Sequence, residues 1–340
     1  MNVIDECIKG LTDIESLSCS EKAVSQSQLD AITSRLLSSK FRKTKIDDLE
    51  HDNIIRILRG HISNETPLKL SVPFGAYKGW KLPTYPGADW AEVFNIRHMI
   101  NYLAPIAMTY PRGVTVYYTY QDSIMSEISN VSTKDLEEYK RSFSALLAFF
   151  NGKLMKSGIA LRFEMFAINS LYDTPEEFYN DYEEGYRYNL GAWTTKYSAS
   201  EREKKVQSAR NNLTRKGLHD YTSLTDAEWE AKCVESAMRT DAVDCLQWRR
   251  KFNKGEDKIQ LVFVRGPTMS IHIGSCRTST AHFWAGTGVL ETKQKTPIPR
   301  ILTQQNFLEL LAQGELHNRS VNTVLSDISD NYKSIYYKNN

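Results

Sequence analysis

The 340-residue chain lacks most of the signatures that would assign it quickly. It has five cysteines, Cys7, Cys19, Cys233, Cys245 and Cys276, scattered with no CxxC spacing. That argues against a zinc ribbon or finger and against a disulfide framework, and it fits reduced thiols in a cytoplasm. No apolar run approaches the roughly 20 residues that span a bilayer. The N-terminus, MNVIDECIKGLTDIESL, carries acids early and has no hydrophobic signal region. There is no surplus of one charge: 43 basic residues face 41 acidic ones, a formal net charge of +2. A nucleic-acid binder usually carries a basic excess on one face, so none is expected here. GxGxxG, the Walker sequence and GxSxG are all missing; GTG at 286–288 is too short to substitute and opens no helix. The chain is therefore expected to be a soluble, cytoplasmic protein with no membrane or nucleic-acid partner.

What is present is an alternating pattern. Hydrophobic residues make up 41% and charged residues 25%, which supports a packed core. The first 65 residues carry helical periodicity in SQSQLDAITSRLLSSKF and KIDDLEHDNIIRILRGHI. TPLKLSVPFG then reads as a strand, followed by a loop, GAYKGWKLPTYPGAD. Asp89 is placed to cap a helix running from WAEVF to MTY. VTVYYTY reads as a buried strand ending at QDS, so Asp122 stands at a strand's carboxyl end. A helix from Thr133 and a strand in IALRFEMFAI follow.

This order predicts an α/β fold: a mixed or mostly parallel Rossmann-like sheet with flanking helices. Four regions are expected: an N-terminal helical segment over 1–65, an α/β core over 66–170, a helical region over 171–256, and C-terminal strands with a closing helix over 257–340 that complete the same catalytic domain. In the third region TPEE (174–177) and TDAE (225–228) are capping boxes. The charged stretch SEREKKVQSARNNLTRKG reads as a solvated helix face, or as a source of phosphate contacts through Arg202, Lys205, Arg210 or Arg215.

The stretch RGPTMSIHIGSCRTSTAHFWAG, Arg265 to Gly286, crowds two histidines, a cysteine, two arginines and six hydroxyls into twenty-two residues. His272 and His282 stand ten apart with no carboxylate close in sequence, which disfavours a metal. Cys276 reads as a small buried thiol. On a strand, Ser270 and His272 share one face. Lys78 and Lys81, on a glycine-flanked loop, could meet an anion.

Taken together, VPFGAYKGWK leading to GADWAEVFNIRHM, YPRGV at 110–114, YQDS, Tyr139, TMSIH and HFW resemble the isocyanide (isonitrile) synthases, the family that includes the pyoverdine and dityrosine biosynthesis proteins. The resemblance spans roughly 68 to 290. It departs from the family in the loop GAYKGWK, in Met269 where an arginine is expected, and in the order of HFW. It implies an enzyme, without metal or redox cofactor, joining an amino-acid amine to ribulose 5-phosphate. Condensation, proton transfers and carbon–carbon cleavage would leave an isonitrile carbon on the amine nitrogen. The residues expected to carry this are His272 as general acid or base, Asp122 as proton shuttle or hydroxyl ligand, and Lys81 with Lys78 for phosphate binding or carbonyl activation. Glu92 would orient a lysine and Arg97 hold an anion, with Ser270, Arg265 and His282 in substrate binding. Oligomeric state is left open. Two alternatives remain: another small-molecule transferase on this fold, or a non-catalytic binding protein retaining it.

Overall fold

The computed structural model describes residues 3–14, 27–73, 78–215, 217–249, 258–262, 270–273, 283–292 and 296–338. In chain order the helices and strands are α1 (Val3–Thr12), α2 (Gln28–Leu36), α3 (Asp48–Ser63), β1 (Leu68–Pro73), α4 (Trp90–Thr109), β2 (Val114–Tyr120), α5 (Asp122–Ile128), α6 (Thr133–Lys156) and β3 (Leu161–Ala167). They continue with α7 (Pro175–Lys196), α8 (Ala199–Leu213), α9 (Asp226–Arg249), β4 (Lys258–Val262), β5 (Ser270–His272), β6 (Gly286–Glu291), β7 (Ile298–Thr303), α10 (Gln304–Ala312), β8 (Leu316–Ser320) and β9 (Ser334–Lys338). Two compact units result: Met1–Tyr118 with Glu138–Met165 and Asp257–Asn340, and Thr119–Glu137 with Phe166–Glu256.

The fold is α/β, as the strand–helix alternation predicts. The first unit is built on a parallel sheet with strand order β3-β2-β1-β4-β5. The chain works outward from β1 to β2 and β3, then returns to place β4 on the other side of β1. Such a reversal opens a crevice at the carboxyl ends of the two strands that flank it, here β1 and β4. The register pairs Leu70 with Ile259 and Ser71 with Gln260, then Gln260 with Ser270 and Val262 with His272.

Helix α4 begins where the sequence says it should. Asp89 is its N-cap, accepting from the Ala91 N–H, and Glu92 closes a capping box by accepting from the Asp89 N–H at 2.6 Å. Trp90, Val93, Ile96, Met99, Ile100, Leu103 and Ile106 are all buried along it. A helix buried around most of its circumference belongs to a core.

A second, four-stranded sheet, ordered β7-β6-β9-β8, fills the C-terminal part. The expected closing helix is α10, but two more strands follow it. Those strands escaped the sequence reading because LHNRS is polar and mostly exposed, with only Leu316 buried. The free edge of β5 is covered by the segment after α2: Arg42 bridges Ile273, and the Lys43 N–H donates to the His272 carbonyl at 2.7 Å.

The second unit is helical. Val206, Ala209 and Leu213 of α8 pack on Cys233 and Ala237 of α9. Thr174 and Thr225 cap α7 and α9, each accepting from the backbone three residues on. The four basic residues singled out in the charged stretch are engaged inside this unit. Lys205 pairs with Asp241 at 2.9 Å, Arg202 donates to the Tyr197 carbonyl at 2.7 Å, Arg210 pairs with Glu230, and Arg215 donates to the Asn212 carbonyl at 2.9 Å. No described helix is long and apolar enough to cross a membrane.

Candidate functional site

The loop beyond β1 and the first turn of α4 place a lysine against two carboxylates. Lys78 is fully buried, as is Glu92, and Asp89 is 1% exposed. Lys78 Nζ lies 3.0 Å from Glu92 Oε1, 3.1 Å from Asp89 Oδ1 and 3.2 Å from the Phe283 carbonyl oxygen. An ammonium has three N–H donors, and they are engaged by Glu92 Oε1, by Glu92 Oε2 at 3.1 Å and by the Phe283 carbonyl, with Asp89 adding its charge. Asp89 Oδ2 also accepts from the Thr84 hydroxyl at 2.6 Å, and Asp89 Oδ1 from the Gly288 N–H at 3.4 Å.

Glu92 accepts in addition from the Tyr139 hydroxyl at 2.9 Å. Burial pushes the Glu92 carboxyl up to about 7; Lys78 opposes this, and neighbouring Asp89 reinforces it. The Tyr139 hydroxyl is held well above its ordinary value, first by burial and then by Glu92. Tyr332, from the C-terminal segment, completes the group. It is fully buried, its hydroxyl has no partner, and its acidity is suppressed by burial and by the charges of Glu92 and Asp89. Its ring meets Trp90 edge to face at 5.7 Å. Beneath lies an aromatic floor: Tyr139 stacks on Phe143, which contacts Phe283 and Tyr118. Tyr118 donates to Asn95 Oδ1 at 2.8 Å, and Asn95 Nδ2 is buried without a partner.

Chemically, this is a buried cluster with one group able to exchange a proton near neutrality. One lysine faces two carboxylates, one of which changes charge near neutrality, and a phenol donates into it. Strong perturbation by burial plus a named charge partner is a mark of functional sites, and structural ion networks show it too.

The structure brings Lys78 and Glu92 together and sets other candidates apart. Lys81 is exposed, its ammonium 4.7 Å above the Trp80 ring. Arg97 donates to the Asp13 carbonyl at 2.8 Å, beside the end of α1, and burial lowers its pKa. Glu92 and Arg97, five apart on α4, therefore serve different neighbours. Ser270 and His272 share a face of β5. Asp122 is the first residue of α5, in the other unit, and its side chain is outside the described part. Arg265, Cys276, Arg277 and His282 lie outside the described residues. Among the described residues no three His, Cys, Asp or Glu side chains are grouped to hold a metal ion.

Asp89 and Tyr332 were missed as site members. Asp89 was legible only as a cap, and nothing in NYKSIYY marks Tyr332. Ser71 and Gln260 were also missed. Their signal was partial: each is an uncharged polar residue in a short strand that also carries a lysine, Lys69 in LKLSVP and Lys258 in KIQLV.

No family model matches the chain, and no curated protein matches it in sequence. Among solved structures, the PvcA protein from Pseudomonas aeruginosa is similar over 91% of this chain and 100% of its own, with a TM-score of 0.57 and 15% identity. The likeness is one of fold. A CDPS from Fluoribacter dumoffii matches 72% of this chain and 88% of its own at 10% identity, with a TM-score of 0.28. AlbC, a cyclodipeptide synthase from Streptomyces noursei, matches 58% of this chain and 82% of its own at 12% identity, with a TM-score of 0.25.

Proposed function

We propose that this chain is a small-molecule biosynthetic enzyme of the isocyanide synthase type, converting an amino-acid amine to an isonitrile with ribulose 5-phosphate as carbon donor. One observation carries the reading. Lys78 of GAYKGWK, Asp89 and Glu92 of GADWAE, Tyr139, and the Phe283 carbonyl of HFW come from four separate pieces of the family resemblance. Asp89, Glu92 and the Phe283 carbonyl meet around the Lys78 nitrogen, and Tyr139 donates to Glu92 beside it. The shared fold with PvcA supports the same reading.

In this proposal Glu92 and Tyr139 hold a proton for the imine and enol steps, because a carboxyl near 7 can give or take it at neutral pH. Lys78 positions Glu92 and takes no covalent part while its three donors are engaged. His272 serves as a second acid or base and Ser270 as a hydroxyl ligand beside it. Lys81, exposed, is the lysine left to meet the sugar phosphate, with Arg265 and His282 as further ligands. Arg97 has no role in this chemistry.

A second reading has its own support. The saturation and full burial of Lys78 also describe a structural clamp in a binding protein that kept the fold. Incubation of the protein with each of the twenty amino acids and ribulose 5-phosphate separates the two. The isonitrile is read by its infrared stretch or by trapping with a tetrazine. Product from at least one amino acid, lost in Glu92→Gln with the fold intact, supports the enzyme. Ribulose 5-phosphate binding without product supports the binding protein.

A further inference from the structure

The parallel sheet carries a polar line where its core should be apolar. Ser71 on β1, Gln260 on β4 and Ser270 on β5 are register partners, so they lie side by side on one face, with Cα atoms about 4.8 Å apart from strand to strand. Leu70, Ile259 and Ile271 alternate onto the opposite face. Ser71 is fully buried and Gln260 is 3% exposed. Ser71 Oγ and Gln260 Nε2 nevertheless make no hydrogen bond. A buried polar atom without a partner has given up its hydration with nothing in return, so two adjacent ones call for an explanation. Ser71 is the fourth of six residues in β1 and Gln260 the central residue of β4, two residues short of the carboxyl ends of the strands that flank the reversal of strand order, where open α/β sheets bind ligands.

We propose that Ser71 and Gln260 form a subsite for an uncharged, oxygen-bearing part of a small molecule, the hydroxyl chain of a sugar. Gln260 Nε2 offers two N–H donors to a hydroxyl or carbonyl oxygen, and the Ser71 hydroxyl donates or accepts beside it. Neither residue carries charge. The charged groups of this face, Lys69 and Lys258, are register partners two residues back along β1 and β4, beside the pair and not part of it, so the orphaned groups themselves match an uncharged polyol. His272 pairs with Val262, two residues beyond Gln260, and shares the face of Ser270. The choice of a polyol rests on the proposed use of ribulose 5-phosphate, whereas the subsite rests on the orphaned pair.

Ser71→Ala and Gln260→Met test the assignment, because each removes the orphaned group at nearly constant volume. Calorimetry on the full chain with ribulose 5-phosphate, ribitol and inorganic phosphate reads binding, and thermal unfolding without ligand reads packing. The subsite predicts at least tenfold weaker binding of ribulose 5-phosphate and ribitol in both variants. Any inorganic phosphate binding stays unchanged, and the ligand-free melting temperature is equal or higher. Unchanged affinity for both sugars, no binding of either sugar by the wild type, or a lowered ligand-free melting temperature in both variants would overturn it. Failure of the function and failure of the subsite look different. Sugar binding that depends on both residues without any isonitrile product removes the synthase reading alone. Isonitrile product with an unaltered KM for ribulose 5-phosphate in both variants removes the subsite alone.

Discussion

Lys78 Nζ sits 3.0 Å from Glu92 Oε1, and neither side chain touches solvent. The two residues are fourteen apart in sequence and come from a loop and the first turn of a helix. Breaking such a pair leaves a buried charge with less compensation. Lys78→Met leaves Asp89 and Glu92 facing each other without their cation and should cost about 3–5 kcal/mol. Adding Glu92→Gln should recover part of that loss, giving a nonadditive cycle in urea unfolding. Additive losses would mean that the pair is not coupled.

Glu92 also sets a pH signature. Its folded value, about 7, lies above the ordinary 4.5, so the folded state binds the proton more tightly than the unfolded chain does. The associated stability is full below about 4.5 and is lost as pH rises through about 7. The gap corresponds to ~3 kcal/mol. Glu92→Gln should remove this decline between pH 5 and 8, as read by denaturant midpoints across that range.

His98 acts in the opposite sense. Burial, then the nearby charge of Lys43, depresses it from 6.5 to about 4, and its Nε2 atom is buried without a partner. Its contribution is present above 6.5 and lost as pH falls toward 4. His98→Gln should therefore flatten the acid limb of the stability profile while leaving pH 8 stability within about 1–2 kcal/mol.

Gly288 is a packing constraint on the site. A Cβ there would stand 2.5 Å from the Ala91 nitrogen and from Trp90 Cβ, at the start of the helix that carries Glu92. Gly288→Ala should destabilise by about 1–3 kcal/mol and lower the melting temperature. An unchanged melting temperature would show that β6 can move away from α4 freely.

The elements that position the site were legible because each has a local cause. Apolar strands alternate with periodic helices, and Asp89 with Glu92 spells a capping box three residues apart. The pairing of Lys78 with that box was anticipated only as a lysine oriented by Glu92. Tyr332 could not be foreseen, since its approach depends on the C-terminal sheet, whose strands β8 and β9 carry little alternation. Lys81 and Arg97 show the limit of reading charge by type. Only Gly79 and Trp80 separate Lys81 from Lys78, yet one lysine lies over a tryptophan at the surface and the other is buried among carboxylates. Ser71 and Gln260 mark a further signal: uncharged polar residues inside strands become informative once the register sets them side by side.

The most direct test of the account is isonitrile formation by the purified full chain supplied with ribulose 5-phosphate and the twenty amino acids in turn. The account predicts an isonitrile from at least one of them, abolished or strongly reduced by Glu92→Gln under conditions where that variant stays folded. No isonitrile from any amino acid, with the wild type folded and the sugar phosphate present, would contradict it.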